Sequence, residues 1–168
     1  MTILDTPVVS RIRRNHGLEH ASIHILSRRY PGRNFAGHSD AGGFWLWGDV
    51  LTEEMADAVT EALARLRAGE RDLAIHPNCG TNFVTYGMAA GLGSFLAMWG
   101  VGRRFRDKVE RFPLVAAFAT LGLILAQPLG YRLQQRVTTS GDPGDLEVVD
   151  IIRSENGSLI GHRVTTRG

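Results

Sequence analysis

Apolar positions recur at close to helical spacing through the first thirty residues: Val8, Val9 and Ile12, then Leu18, Ile23 and Leu26, with Pro7 opening the run and Tyr30-Pro31-Gly32 closing it. A proline is tolerated in a helix's first turn, where its missing amide has no partner to lose, and a Pro-Gly pair stops one, so the pattern predicts a helix over about 7–29. Two aromatic and aliphatic stretches, 35–39 and 44–50, then flank Asp40-Ala41-Gly42-Gly43, the composition of a hairpin. Thr52 stands where it can cap the next helix, with Glu53 and Glu54 in the first turn, Met55, Val59, Leu63 and Leu66 as its stripe and Gly69 at its end.

The pattern then changes. From 83 to 101 and from 112 to 131 there is no charged residue, and each run is close to the roughly 20 residues a helix needs to cross about 30 Å of hydrocarbon. A chain this short has too little other apolar surface to cover two such helices on every side, so both are expected to span a membrane. Gly87, Ala90 and Gly91 in the first, with Ala116, Ala117 and Gly122 in the second, would let them pack as a tight antiparallel hairpin. Pro128 is expected to bend or end the second span. Beyond it, 133–139, 146–152 and 158–165 are rich in β-branched residues and separated by Gly141-Asp142-Pro143-Gly144 and Asn156-Gly157. They predict a meander that joins the earlier hairpin in one sheet, because two or three strands alone are marginal. The expected fold is thus an α+β membrane protein in three regions: a His-rich polar α+β region at 1–82, a two-helix transmembrane hairpin at 83–131, and a β meander at 132–168 packing on the first region.

Charge narrows the class. Lys+Arg 19 against Asp+Glu 17 leaves a net charge of +2, too little for a nucleic-acid footprint over a whole face, and no nucleic-acid partner is expected. The basic residues cluster instead: Arg11, Arg13, Arg14, Arg28, Arg29 and Arg33 near the start, and Arg103, Arg104, Arg106, Lys108 and Arg111 between the apolar runs. Both clusters suit anionic lipid headgroups, and the first fits a solvated charged face equally well. The single cysteine, Cys79, excludes an internal disulfide. The opening Met1 to Pro7 is short, carries Asp5 and is followed by no uninterrupted apolar core, so no signal peptide is expected. Two spans return the chain to its starting side. The basic loop between them would favour the cytoplasm over Arg67, Arg71, Arg132 and Arg136, but exporting a polar domain of about 80 residues without a signal outweighs that margin; a multi-pass protein of the cell membrane with both termini cytoplasmic is the expectation.

The chemistry concentrates in two motifs. His16-Gly17-Leu18-Glu19-His20 is an H-x-x-E-H pattern on a predicted helix. Imidazoles at i and i+4 stand one turn apart and can share one cation, with a carboxylate at i+3 beside a metal-bound water, the arrangement of an inverted zincin. Zn2+ would lower the pKa of that water and Glu19 would take its proton. Directly before the first apolar run stands His76-Pro77-Asn78-Cys79-Gly80-Thr81-Asn82. His76 is the preferred third ligand and Cys79 the alternative, since either completes a three-ligand site with an open position. Asn78, Thr81 and Asn82 read as a capping cluster at a helix start, where amide groups would also receive a substrate oxyanion or carboxylate. His24 continues the helical stripe and has a minor claim as a ligand. His38 and His162 have no partner at ligand spacing and read as ordinary strand or turn residues, and Trp45 and Trp47 fit either a sheet face or an interfacial belt.

The two motifs, with Ala21 after the first and Phe83 after the second, resemble those of uncharacterised bacterial membrane proteins of the YqhQ type, which pair an H-G-x-E-H helix with an H-P-x-C-G-T loop at a membrane helix. The resemblance implies one shared site built from His16, Glu19, His20, His76 and Cys79, and it brings no reaction with it. The reading reached is a membrane-anchored zinc hydrolase acting on a peptide or other amide at the bilayer surface, with the bilayer and a membrane-proximal peptide as its partners. The alternatives are a non-enzymatic membrane module with a closed structural metal site, and an adaptor with no metal.

Overall fold

The computed structural model describes residues 2–157 and 159–168. Ser158, the first residue of the last predicted strand, lies outside the described residues, as does Met1. The chain divides into two compact units, one formed by Met1–His76 with Gln135–Gly168, the other by Pro77–Gln134.

The first unit is α+β. Helix α1 runs over Pro7–Arg29 with Pro7 in its first turn. Strands β1 (Ala36–Asp40) and β2 (Gly43–Trp47) form the hairpin, and α2 (Thr52–Arg67) follows. Strands β3 (Glu147–Asn156) and β4 (Leu159–Arg167) complete an antiparallel sheet of order β1-β2-β4-β3. Side chains alternate across a strand. Phe44, Leu46 and Val164 accordingly turn inward and are fully buried, while Trp45 and Trp47 take the other face. Leu18 and Leu26 of α1, and Met55, Val59 and Leu66 of α2, close the core over that inner face. One expected detail changes: Leu51, not Thr52, is the N-cap of α2. The Glu54 carboxylate reaches back to accept the Leu51 amide at 2.9 Å, so an acid at the third helical position does the capping without a hydroxyl.

The second unit is a pair of helices, α3 (Gly80–Met98) and α4 (Phe105–Leu133). Small residues set their approach. A Cβ on Gly93 would stand 2.4 Å from the Phe118 carbonyl oxygen, and one on Gly122 would stand 2.5 Å from that of Ala89. Their outward sides are apolar and exposed, with Phe83, Met88 and Phe95 on α3 and Phe112, Ile124 and Leu125 on α4.

Three expectations need correction. Among the described residues one helix, Phe105–Thr138, is long and apolar enough to cross a membrane, with a mean hydropathy of 1.8 over its best window; the expected two-span hairpin is reduced to that one candidate. The α3 run has no charge, but Thr81, Asn82 and Thr85 occupy its first turns and Gly80, Gly87, Gly91 and Gly93 add little hydrophobicity. Pro128 does not end α4, since both Pro113 and Pro128 lie inside it. The stretch 133–139, expected as a strand, instead finishes α4 and widens into a π turn at Gln134–Thr138. Its β-branched residues come only at Val137, Thr138 and Thr139, too late to oppose a helix that still finds partners for its amides.

The α3–α4 packing is testable by adding single methyl groups. Gly122→Ala is expected to destabilise the helix pair by about 1–3 kcal/mol, because the methyl meets backbone that cannot yield. Gly87→Ala, whose Cβ would meet nothing within 4 Å, is expected to be neutral or stabilising by up to about 1 kcal/mol from helix propensity. Denaturant titration of the purified protein in detergent compares the two, and equal effects would contradict the packing.

Candidate metal centre

His16, His20 and His24 stand at i, i+4 and i+8 on one stripe of α1. A backbone carbonyl holds each ring. His16 Nδ1 donates to the Thr138 carbonyl at 2.9 Å, His20 Nδ1 to Ala74 at 2.8 Å, and His24 Nε2 to Ile75 at 2.8 Å. A carbonyl oxygen can only accept, so the ring nitrogen facing it must carry the hydrogen, and in the neutral ring the opposite nitrogen carries the lone pair. The tautomers follow: His16 and His20 present Nε2 as ligand atoms, and His24 presents Nδ1. His76, leaving the short 3-10 turn Arg71–Ala74, brings a fourth ring to the stripe. Ring centroids are 4.4 Å apart for His16 and His20, 5.6 Å for His20 and His76, and 4.8 Å for His24 and His76. Two imidazoles sharing a tetrahedral ion, with metal–nitrogen bonds of about 2.0–2.1 Å, have centroids about 5 Å apart.

Glycine at position 17 of the H-x-x-E-H motif has a local reason. A Cβ there would stand 2.1 Å from the Ser140 carbonyl oxygen. The absence of a side chain lets residues 138–140 lie directly on α1, where the Ser140 amide donates to the Arg13 carbonyl at 2.9 Å and Arg13 donates to the Arg136 and Thr139 carbonyls at 3.1 and 3.2 Å. That contact delivers the Thr138 carbonyl to His16. It also spends charge that the sequence offered to lipid: Arg11 donates to Gly168 at 2.7 Å, and Arg14 bonds Pro143 and Asp145.

Burial sets the protonation of the rings. His20 is 2% exposed, and loss of solvent, with the neighbouring His16 next in weight, pushes its pKa down to about 3. Burial and the nearby His24 take His76 down to about 4. Both are neutral at pH 7, the state in which imidazole binds a metal. Glu19, three residues on from His16, turns its carboxylate to β1. The Ser39 hydroxyl donates to its carboxylate, and a Cβ on Gly37 would stand 2.3 Å from its Oε1, so the strand must have glycine there. Burial raises the Glu19 pKa, opposed by the Ser39 bond and by His16.

In the second unit, Cys79 is buried as the N-cap of α3, and Asn78 is exposed before it. The Thr81 carbonyl accepts the Thr85 hydroxyl at 2.7 Å. Asn82 is buried, its Nδ2 donating to the Pro77 carbonyl at 2.8 Å and its Oδ1 accepting from Gln134 Nε2 at 2.7 Å. Sequence reasoning missed Ser39 and Gly37, and did not foresee that His24 would face His76. Only the i+8 spacing signalled His24, and nothing local marked the β1 pair. His38 is exposed on β1, while His162 is fully buried in β4 with Nε2 3.4 Å from the Thr52 hydroxyl.

Comparison with known proteins places the chain. Residues 11–151, which include both motifs and all four helices' central turns, match the domain of unknown function DUF6391. The chain belongs to the DUF6391 family. This DUF6391 protein is also 36% identical over 139 residues to an uncharacterized protein of Picosynechococcus sp. (strain ATCC 27264 / PCC 7002 / PR-6), a match covering 77% of this chain and 66% of that relative's length. No solved structure matches.

The depressed histidines fix a sign for pH. In metal-free protein the unfolded chain takes up protons near the ordinary histidine value, about 6.5, while folded His20 holds out to about 3. Stability is therefore unaffected above about pH 6.5 and falls as the pH drops through the window toward 3, by about 2 kcal/mol from His20 at pH 5. Unfolding midpoints from pH 7.5 to 4.5 should decline in the native protein and decline less in His20→Asn; parallel curves would contradict the buried neutral ring.

Proposed function

We propose that this protein is a membrane-anchored, zinc-dependent hydrolase acting on a peptide or another amide at the bilayer surface. The observation that carries the reading is the pair of carbonyl-oriented rings, His16 and His20, side by side with a ring nitrogen of each within 4.8 Å of the other. A second bond from ring nitrogen to backbone carbonyl is the usual way a metal-binding histidine is oriented. His76 is the third ligand in this reading. Cys79, three residues further along the chain, is the alternative.

When bound, Zn2+ supplies an acidified water and polarises the substrate carbonyl. Glu19 holds and returns the proton; burial lifts its pKa toward the range a general base needs, and the Ser39 hydroxyl orients the carboxylate. Asn82, bonded to Pro77 and Gln134, sets the start of α3, at which Asn78 and Thr81 are the candidate substrate contacts.

A second reading, a closed structural metal site, draws support from burial: His20 is 2% and Glu19 4% exposed, close quarters for a reacting water. Coordination separates the two, since four protein ligands make a structural site and three plus water a catalytic one. The YqhQ-type resemblance names the same residues and favours neither.

The bilayer is the remaining partner. In this reading α4 is the anchor, α3 packs against it through glycines and carries the chain back, and both termini are cytoplasmic. A reporter fused after Gly168 should be active only in the cytoplasm; activity only outside would reverse the placement.

Metal analysis of the purified protein is expected to find zinc, and to find less of it in His16→Ala/His20→Ala. Glu19→Gln should keep the zinc and abolish cleavage of a quenched peptide library in proteoliposomes. Loss of zinc in Glu19→Gln would make Glu19 a ligand, and unchanged cleavage would remove it from the mechanism.

A further inference from the structure

His24 has so far no chemical task, and its geometry gives it one. His16 and His24 are eight residues apart on one helix, so their Cα atoms are separated by about 12 Å along its axis. One ion cannot serve both ends of that stripe, because imidazoles sharing a tetrahedral ion must bring their ring centroids to about 5 Å. Yet each end has a partner at that spacing: His16 with His20 at 4.4 Å, and His24 with His76 at 4.8 Å. The 5.6 Å between His20 and His76 makes the two pairs neighbours.

The tautomers differ between the pairs. His20 donates from Nδ1 to Ala74, and His24 donates from Nε2 to the next carbonyl, Ile75. Two consecutive carbonyls thus hold two consecutive rings of the stripe in opposite tautomers, so that one turn offers Nε2 and the next offers Nδ1. A histidine placed only to satisfy a buried carbonyl needs no second imidazole within reach, and His24 has one in His76.

We propose that the four imidazoles take two transition-metal ions, one on the His16–His20 pair and one on the His24–His76 pair. Imidazole donors of this kind suit Zn2+, Cu2+, Ni2+ and Fe2+, and not the hard cations that ask for oxygen. The proposal rests on the metal reading above and deepens it.

The test is metal stoichiometry of the whole protein in detergent. Chelator-treated protein is titrated with Co2+, followed by visible absorption, and with Zn2+, followed by calorimetry and elemental analysis. Two equivalents are expected for the native chain, and one each for His24→Ala and for His16→Ala/His20→Ala. Because His24 is only half-buried, His24→Ala should keep the native unfolding midpoint; should it not, the native stoichiometry decides without it. One equivalent in the native chain, lost in His16→Ala/His20→Ala and untouched by His24→Ala, overturns the second ion and leaves the single-metal reading standing. No bound metal at all overturns both.

Discussion

The first unit depends on one constraint: α1 is buried along its second half while carrying polar side chains there, and every such group must find a partner or cost the fold roughly 1–3 kcal/mol. Asn15, Glu19, His20 and Ser22 are all buried. Asn15 donates to the Asp40 carbonyl at 2.8 Å and accepts the Thr166 hydroxyl at 2.7 Å, which ties the helix to β1 and β4. Ser22 returns its hydroxyl to the Leu18 carbonyl. The histidines turn to the carbonyls of Ala74, Ile75 and Thr138. The bonds that make the helix tolerable inside the unit are therefore the same bonds that orient its imidazoles.

This explains why irregular backbone surrounds the site. The carbonyls of a regular helix or a paired strand are already engaged. Those facing the imidazoles come from a 3-10 turn and the residue after it, and from the last residue of a π turn, where the helical ladder is interrupted. Gly17 and Gly37 do related work on opposite faces of α1: one admits residues 138–140, the other admits the Glu19 carboxylate to β1.

Much of this was legible in the sequence, and what was not has physical causes. Pro7 and Tyr30-Pro31-Gly32 bound α1 closely because caps and breakers act locally. The alternation of Phe44 and Leu46 against Trp45 and Trp47 marked a strand with one buried face. The end of α4 was misread because Val137, Thr138 and Thr139 look like strand residues, whereas a long helix already in progress recruits them. The membrane reading of α3 rested on the absence of charge, and absence of charge is a weaker statement than hydrophobicity when glycine and threonine fill the gaps. His16, Glu19, His20 and His76 were nameable from spacing and motif. Ser39 was not, because its partner Glu19 is twenty residues away and the sheet brings them together.

The central claim is that carbonyl bonds fix which ring nitrogen of His16, His20 and His24 carries hydrogen, and that burial keeps His20 neutral. Nitrogen-15 NMR of metal-free protein labelled at histidine tests it most directly, with assignments from single-site variants. At pH 7 His16 and His20 should carry hydrogen on Nδ1 and His24 on Nε2, with Nε2 of His20 unprotonated. Hydrogen missing from any of these three nitrogens, or a doubly protonated His20, would contradict the account.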